Sequence, residues 1–404
     1  MEKQTLRKTY KYRLYPTKSQ QEILEKQLSL CRWLYNHFLE ERKTFYEKNK
    51  TKLTGYDQIK KIPKLKKEKS ELKKVYSQTL QDVVRRLDKA FQGFFRRVKA
   101  HKEGTKKTKP GYPRFKEYWR YDSFIYPQSG FQLKTKEKKL ELSKIGSLKI
   151  KLHRPIKGSI KTLTIRRTKT NKWYVCFSIE NNQELPEKKE IQQIIGIDVG
   201  LNSFLTTDKG KKIENPRYLI KSEGKLSEFQ RWHSRKKLKS KNRKKSRLKV
   251  ARIHEKVAEQ RMDFLHKLSN QLVKNFQLIA FEKLNIKGMI RNRYLAKSIT
   301  DASWSRFLQQ LKYKAEEAGI WAIEVNSKNT SQMCSGCQNL VPKTLATRNH
   351  KCLKCGLTID RDINAARNIL QLAFNTVGTT GISACGVGRL LPTMKQETTD
   401  FNQG

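Results

Sequence analysis

Along residues 6–15, LRKTYKYRLY, basic side chains alternate with aromatic and aliphatic ones. A period of two belongs to a strand with one face in a core and one in water, so a β-strand with a wet, basic face is predicted here. From residue 19 the period changes. Ile23, Leu24, Leu28, Leu30, Trp33, Leu34 and Phe38 fall near one stripe of a helix over 19–47, and Leu80, Val83, Val84, Leu87, Phe91, Phe94 and Phe95 do the same over 77–98. The two helices are expected to share a bundle. TKLTGYDQIKKIPKLKKEKS between them reads as a basic connector, and HKEGTKKTKPGYPRF ends the bundle with Gly and Pro.

Alternation returns from about Tyr121, in SFIYP, KLELSK, SLKIKLH, IKTLTIRRT and NKWYVCFSIEN. Short strands at this spacing suggest a small barrel or sandwich. Residues 1–16 and 121–185 are therefore expected to form one β-barrel domain, with the helical residues 17–120 inserted. ENNQELPEKKE is a polar linker, after which QIIGIDVG is a nearly continuous apolar run, as a buried central strand requires. FLTTDKGKKI reads as a hairpin turning at Asp208-Lys209-Gly210, residues 222–275 as a long helical stretch, QLIAFE and IWAIEVN as further strands, and 303–318 as a helix. The order is α/β with a basic helical insertion.

Charge narrows the function. The 404 residues hold 89 Lys and Arg against 37 Asp and Glu, a net charge of +52, while 36% hydrophobic residues suffice for cores. An excess of this size repels itself unless a polyanion neutralises it, and nucleic acid is the expected partner. A membrane is not: no apolar run approaches the roughly 20 residues of a span, and MEKQTLRKTYKYRLYP has no signal-peptide core. Seven cysteines are too few for a secreted disulfide scaffold, which places the chain in a reducing compartment. Cys31, Cys176 and Cys385 read as packed thiols. No protein oligomer is indicated.

Cys334-x-x-Cys337 and Cys352-x-x-Cys355 are separated by fourteen residues. Two such knuckles converge four thiolates on one structural Zn²⁺, a zinc ribbon. His350 reads as a solvated loop histidine. Asp198 and Glu282 each directly follow an apolar strand, and Asp360 and Asp362 follow the second knuckle in LTIDRDINAARNIL. Acids so placed are costly unless ionic or metal partners offset their desolvation, and such a set suits two Mg²⁺ ions acting on a phosphodiester. Each acid also has an ordinary reading: Asp198 closing a turn with Gly200, Glu282 pairing with a lysine, Asp362 capping a helix. Arg235 to Lys249 holds ten Lys or Arg in fifteen residues and no acid. Its Lys236, Lys237, Arg243, Lys244 and Lys245 are candidates for phosphate contact, with a solvated helix face as the alternative. Gln78 and Gln81 are candidates for reading base edges.

GIDVGLNSFLTTDKG, LIAFEKLNIKGM, TSQMCSGC, CLKCG and DRDINAARNIL, in this order, resemble TnpB, the transposon-encoded RNA-guided DNA endonuclease family related to type V CRISPR effectors. KTYKYRLYPTKSQQEILEKQLSLCRWLYNHFL and SRKKLKSKNRKKSRLKVARIHEKVAEQRMDFLHKLS extend the resemblance over nearly the whole chain. It implies a RuvC-like RNase H fold over 190–327 plus 359–375, with Asp198, Glu282 and Asp362 as catalytic, magnesium-binding acids and the zinc ribbon inserted as 328–358. It also makes the barrel a wedge-like domain and the helices a recognition lobe, gripping guide RNA and double-stranded target DNA. The implied activity is cleavage of double-stranded DNA beside a short flanking motif, in a prokaryotic cytoplasm at the nucleoid. A nuclease-inactive RNA-guided repressor and an unguided RNase H fold enzyme are the alternatives. Residues 376–404 read as a flexible tail. Two departures stand out, Asn329 where the family often has an aromatic residue and Gln338 where a glycine usually follows the first knuckle.

Overall fold

The computed structural model describes residues 6–105, 109–181, 185–326, 328–344 and 347–379, in two compact units, 1–184 and 185–404. Cys385 and the tail expectation beyond 379 lie outside the described residues. No described helix is long and apolar enough to cross a membrane.

In the first unit, strand β1 (Leu6–Tyr15) leads into helix α1 (Lys18–Asn49), then α2 (Gly55–Glu68), a short 3-10 turn and α3 (Ser77–Lys102). Thr17 starts α1 with a capping box: its hydroxyl accepts from Gln20 N–H and Gln20 Oε1 accepts from Thr17 N–H. Thr54 and Asp57 repeat the device at α2. The expected basic connector is thus a helix. Only Gln58, Ile62 and Leu65 of it are buried, a stripe narrow enough to be hidden by its lysines and by Pro63. Gln58 joins a buried polar cluster, accepting from Arg42 at 2.8 Å and donating to the Phe38 carbonyl at 2.9 Å.

Strands β2 (Ser123–Tyr126), β3 (Phe131–Lys134), β4 (Lys139–Leu142), β5 (Gly146–Lys151), β6 (Ser159–Arg167) and β7 (Trp173–Asn181) complete an antiparallel sheet in the order β2-β6-β7-β1-β5-β4-β3. β3 is absent from the sequence expectation. The edge strands β2 and β3 are consecutive in the chain, so the turn between them brings the sheet nearly round on itself. Tyr126, at the end of β2, donates across that gap to the carbonyl of Ser143, whose N–H extends the β3–β4 pairing to the Gly130 carbonyl at 2.8 Å; the Tyr126 bond measures 2.7 Å. β1 is central, with Leu6↔Asn181 through Leu14↔Trp173 on one side and Arg13↔Lys151 on the other. Tyr12 and Leu14 point into a core shared with α1 and α3, while Lys11 and Tyr15 face water.

The second unit is built on the sheet β10-β9-β8-β11-β12, comprising β8 (Ile194–Asp198), β9 (Ser203–Thr207), β10 (Lys212–Glu214), β11 (Leu278–Lys283) and β12 (Trp321–Asn326). β8, β9 and β10 form an antiparallel meander, and β11 runs parallel to both β8 and β12. Between β10 and β11 lie α4 (Tyr218–Ser234) and α5 (Lys241–Asn275); after β11 come α6 (Ile286–Met289), α7 (Ala296–Ala302) and α8 (Trp304–Ala318). The expected single helical stretch over 222–275 breaks at 235–240, where Lys239 has φ 63°. A two-stranded hairpin, β13 (Asn349–Lys351) and β14 (Thr358–Asp360), leads to α9 (Arg361–Thr379).

Strand alternation sends Ile195, Ile197, Ile279 and Phe281 against α5, α7 and α8. Leu278 and Ala280 face α9, through Ile369, Leu370, Ala373 and Phe374. Gly196 lets α9 sit directly on β8: a Cβ there would lie 2.3 Å from the Ala366 carbonyl oxygen.

Candidate active site and metal centre

Asp198 and Glu282 each follow one residue beyond the paired positions Ile197↔Phe281 of two parallel neighbours, so they emerge side by side at one sheet end. By parity with Gly196 and Ala280 they belong to the face that α9 covers. Asp362 lies in the first turn of α9, which starts at that same end. Asp198 feels the charges of both other acids. Its carboxyl is pushed up to about 8, first by burial, then by the negative charges of Glu282 and Asp362, with Arg361 opposing. Burial likewise raises Glu282, against a hydrogen bond from the Thr330 hydroxyl. Arg361 pairs with Asp362 at 3.2 Å.

Asp360 does something else. Its Oδ1 accepts from Asp362 N–H at 2.9 Å and Ile363 N–H at 3.3 Å, and its Oδ2 pairs with Lys212 at 2.6 Å. Burial acts to raise this carboxyl, but these bonds outweigh it and hold it below the usual range. The helix cap is thus Asp360, and Asp362 is left facing the other acids.

The four cysteines converge as the knuckle spacing requires. Their sulfur atoms all lie within 4.8 Å of one another, with Cys334–Cys355 and Cys337–Cys352 both at 3.5 Å. Among the described residues this is the one such group of potential ligand atoms; the acids are set wider. The thiols fit one structural Zn²⁺ in number, kind and closure. N–H groups of Cys355 and Lys354 pull the Cys352 thiol down to about 6, whereas burial drives Cys334 up to about 12. His350, expected in solvent, is fully buried beside Lys343. The two knuckles are built alike: Gln338 N–H bonds the Cys334 carbonyl and Gly356 N–H the Cys352 carbonyl, both at 2.9 Å, and both residues have positive φ, 59° and 75°.

Sequence reasoning overlooked the polar face of α9. Asn364 and Asn368 are buried, and both donate to the Met333 carbonyl at 2.7 Å; Asn364 also accepts from Ser335 N–H at 2.9 Å. The available signal is their spacing of four, which puts two amides on one helix face.

The basic segment is partly engaged within the fold. Arg243 donates to the carbonyls of His233 and Lys236 at 3.2 and 2.8 Å, closing the end of α4 onto α5, and Lys236 lies 4.9 Å over the Trp232 ring. Lys237, Lys244 and Lys245 are exposed. Gln78 and Gln81 are half-buried on α3, Gln78 within 3.5 Å of Ser129. The wet, basic face expected of β1 forms, and Tyr174 of β7 joins it: Lys11 and Arg13 lie 4.2 and 5.0 Å over the Tyr174 ring.

These features meet three known families in chain order. Residues 1–51, a stretch that includes β1 and α1, match a family described as a helix-turn-helix domain. Residues 174–293 match one described as "Probable transposase", and residues 304–369 match the Cas12f1-like TNB domain. A Streptomyces pristinaespiralis protein, provisionally named an RNA-guided DNA endonuclease, is 33% identical over 95% of this chain and 92% of its own. The similarly named InsQ of Escherichia coli strain K12 is 28% identical over 98% of both chains. A solved complex of Cas12f1 with single-guide RNA and target DNA covers 91% of this chain and 99% of its own, at 19% identity and a TM-score of 0.34. The chain belongs to the TnpB family of transposon-encoded RNA-guided DNA endonucleases, related to type V CRISPR effectors.

Proposed function

We propose that this chain is a cutting member of its family: guided by a bound RNA, it cleaves double-stranded DNA beside a short flanking motif. The observation that carries the reading is the gathering of Asp198, Glu282 and Asp362 at one end of the second unit's sheet. An antiparallel meander, two further parallel strands and α9 laid across them support a RuvC-like, RNase H-type domain over 190–327 plus 359–375, with the zinc ribbon at 328–358. Burial and the charges of Glu282 and Asp362 push the Asp198 carboxyl up, and the cation opposing them, Arg361, is paired with Asp362 and offsets them only in part, which favours divalent cation binding. Mg²⁺ held by these three would activate water and stabilise the leaving oxygen of a phosphodiester. Guide RNA and target DNA come from the names of the relatives. The proposed surfaces for them are the basic face of β1 and α3 with Gln78 and Gln81, within the wedge-like and recognition regions 1–16 plus 121–185 and 17–120, and the α4–α5 arm of the second unit.

The test compares wild type, Asp198→Ala, Asp360→Asn and Asp362→Asn, each with its RNA and Mg²⁺, on plasmids that match or mismatch the guide. Wild type should cut only the matched plasmid. Asp198→Ala and Asp362→Asn should bind it without cutting, and Asp360→Asn should still cut, because Asn caps a helix almost as well as Asp. A wild type that binds but never cuts would instead identify a repressor, and guide-independent cutting an unguided nuclease.

A further inference from the structure

We propose that Thr330 is the positioning residue for Glu282 and ties the acidic site to the cysteine cluster; this rests on the reading of Asp198, Glu282 and Asp362 as a cation site. Thr330 is 2% exposed, in the turn that follows β12. Its hydroxyl donates to Oε1 of Glu282. A carboxylate fixed at one oxygen has one orientation and presents its second oxygen to a cation.

Thr330 is itself held. Its carbonyl accepts from Asn368 Nδ2 at 2.8 Å, and the same amide reaches the Met333 carbonyl at 2.7 Å. Met333 precedes the first zinc-binding cysteine. Gln338, at the end of that knuckle, donates to the Cys334 carbonyl at 3.2 Å and approaches Asn368 Oδ1 at 3.5 Å. The turn opens with Asn329 in the left-handed region, φ 62°, where its carbonyl accepts from both Gln332 and Met333 N–H at 2.9 Å. Asn tolerates that conformation, and a bulky aromatic does so less readily. Buried amides are costly unless bonded, and Asn364 and Asn368 find their partners in the knuckle backbone, on the helix that carries Asp362. One hydrogen-bonded path therefore runs from the cysteine cluster through α9 and Thr330 to Glu282. The cluster, far from being a detached brace, orients two of the three acids.

The experiment uses the full chain. Thr330→Val removes the donor at nearly constant shape, Thr330→Ala removes it with the side chain, and Thr330→Ser restores it. Mn²⁺ binding is read by electron paramagnetic resonance without DNA, taking as the site's signal the part that disappears in Asp198→Ala. Cleavage is read against Mg²⁺ concentration, together with guided DNA binding and zinc content. Val and Ala should each raise the Mn²⁺ dissociation constant and the half-saturating Mg²⁺ by about 10- to 100-fold, the usual cost of losing a second hydrogen-bonding layer. Zinc and DNA binding should stay at wild-type values, and Ser should recover the metal affinity. Whichever of Val and Ala keeps its zinc decides the matter. Wild-type metal affinity in that variant overturns the proposal alone, and a wild type binding no Mn²⁺ at these acids overturns it together with the cation-site reading.

Discussion

Gln338 and Gly356 hold equivalent places at the ends of the two cysteine knuckles, and only one of them suits its backbone. A left-handed conformation costs a residue with a Cβ roughly 1–2 kcal/mol. Gln338 offsets part of this through its side-chain amide, which donates to Gln371 at 2.8 Å and, at a longer 3.2 Å, to the Cys334 carbonyl, together about 1 kcal/mol. Gln338→Gly should therefore stabilise the first knuckle by up to about 1 kcal/mol, seen as slower transfer of zinc to a chelator; faster transfer would mean that the side-chain bonds outweigh the strain. At this scale the sequence is an uneven guide. Acids stand out because they end apolar runs, and cysteines because they come in pairs. Thr330, Asn364 and Asn368 do not, since hydroxyls and amides in polar company look like surface residues until the fold buries them.

Among elements, those with a wide apolar face were readable, and those that owe their form to something else were not. α1 and α3 declare themselves by period, and β8 and β11 by short unbroken apolar runs. α2 is disguised by lysines and Pro63, β3 buries none of its four residues, and the break between α4 and α5 carries no Gly or Pro, only Lys239 in a left-handed turn. α9 matters most because it brings Asp362 to the sheet, and its seat is Gly196. The Gly196 N–H also donates to Asp208 at 3.0 Å, so strand, turn and helix are fixed together. Gly196→Ala should lift α9 from β8, costing about 1–3 kcal/mol as overpacking does and abolishing cleavage by drawing Asp362 away. Denaturant unfolding and plasmid cutting check this; a stable, active variant would show that α9 can shift without loss of the site.

For the whole molecule the controlling number is +52. Charge alone pointed to nucleic acid, but it did not show which cations are free to meet it. Lys237, Lys244 and Lys245 are exposed, whereas Arg243 closes the turn between α4 and α5. Alanine at the three lysines should weaken RNA binding evenly across sequences and flatten its salt dependence by about one unit of slope for each phosphate no longer neutralised, with an unchanged melting temperature. Arg243→Ala should lower the melting temperature as well. Equal melting of the two variants would return Arg243 to the free cations. The central place of β1 reaches further, into how the chain is made. Its partners end at Asn181, so at synthesis rates of about 5–20 residues per second the strand waits on the order of ten to thirty seconds for a neighbour. Meanwhile α1 and α3 can already pack together, because their contacts are local, whereas the sheet must close a long loop. The nascent strand is left with two open edges, and the charges of Lys11 and Arg13 that later face water are what discourage it from pairing with the wrong chain on the ribosome.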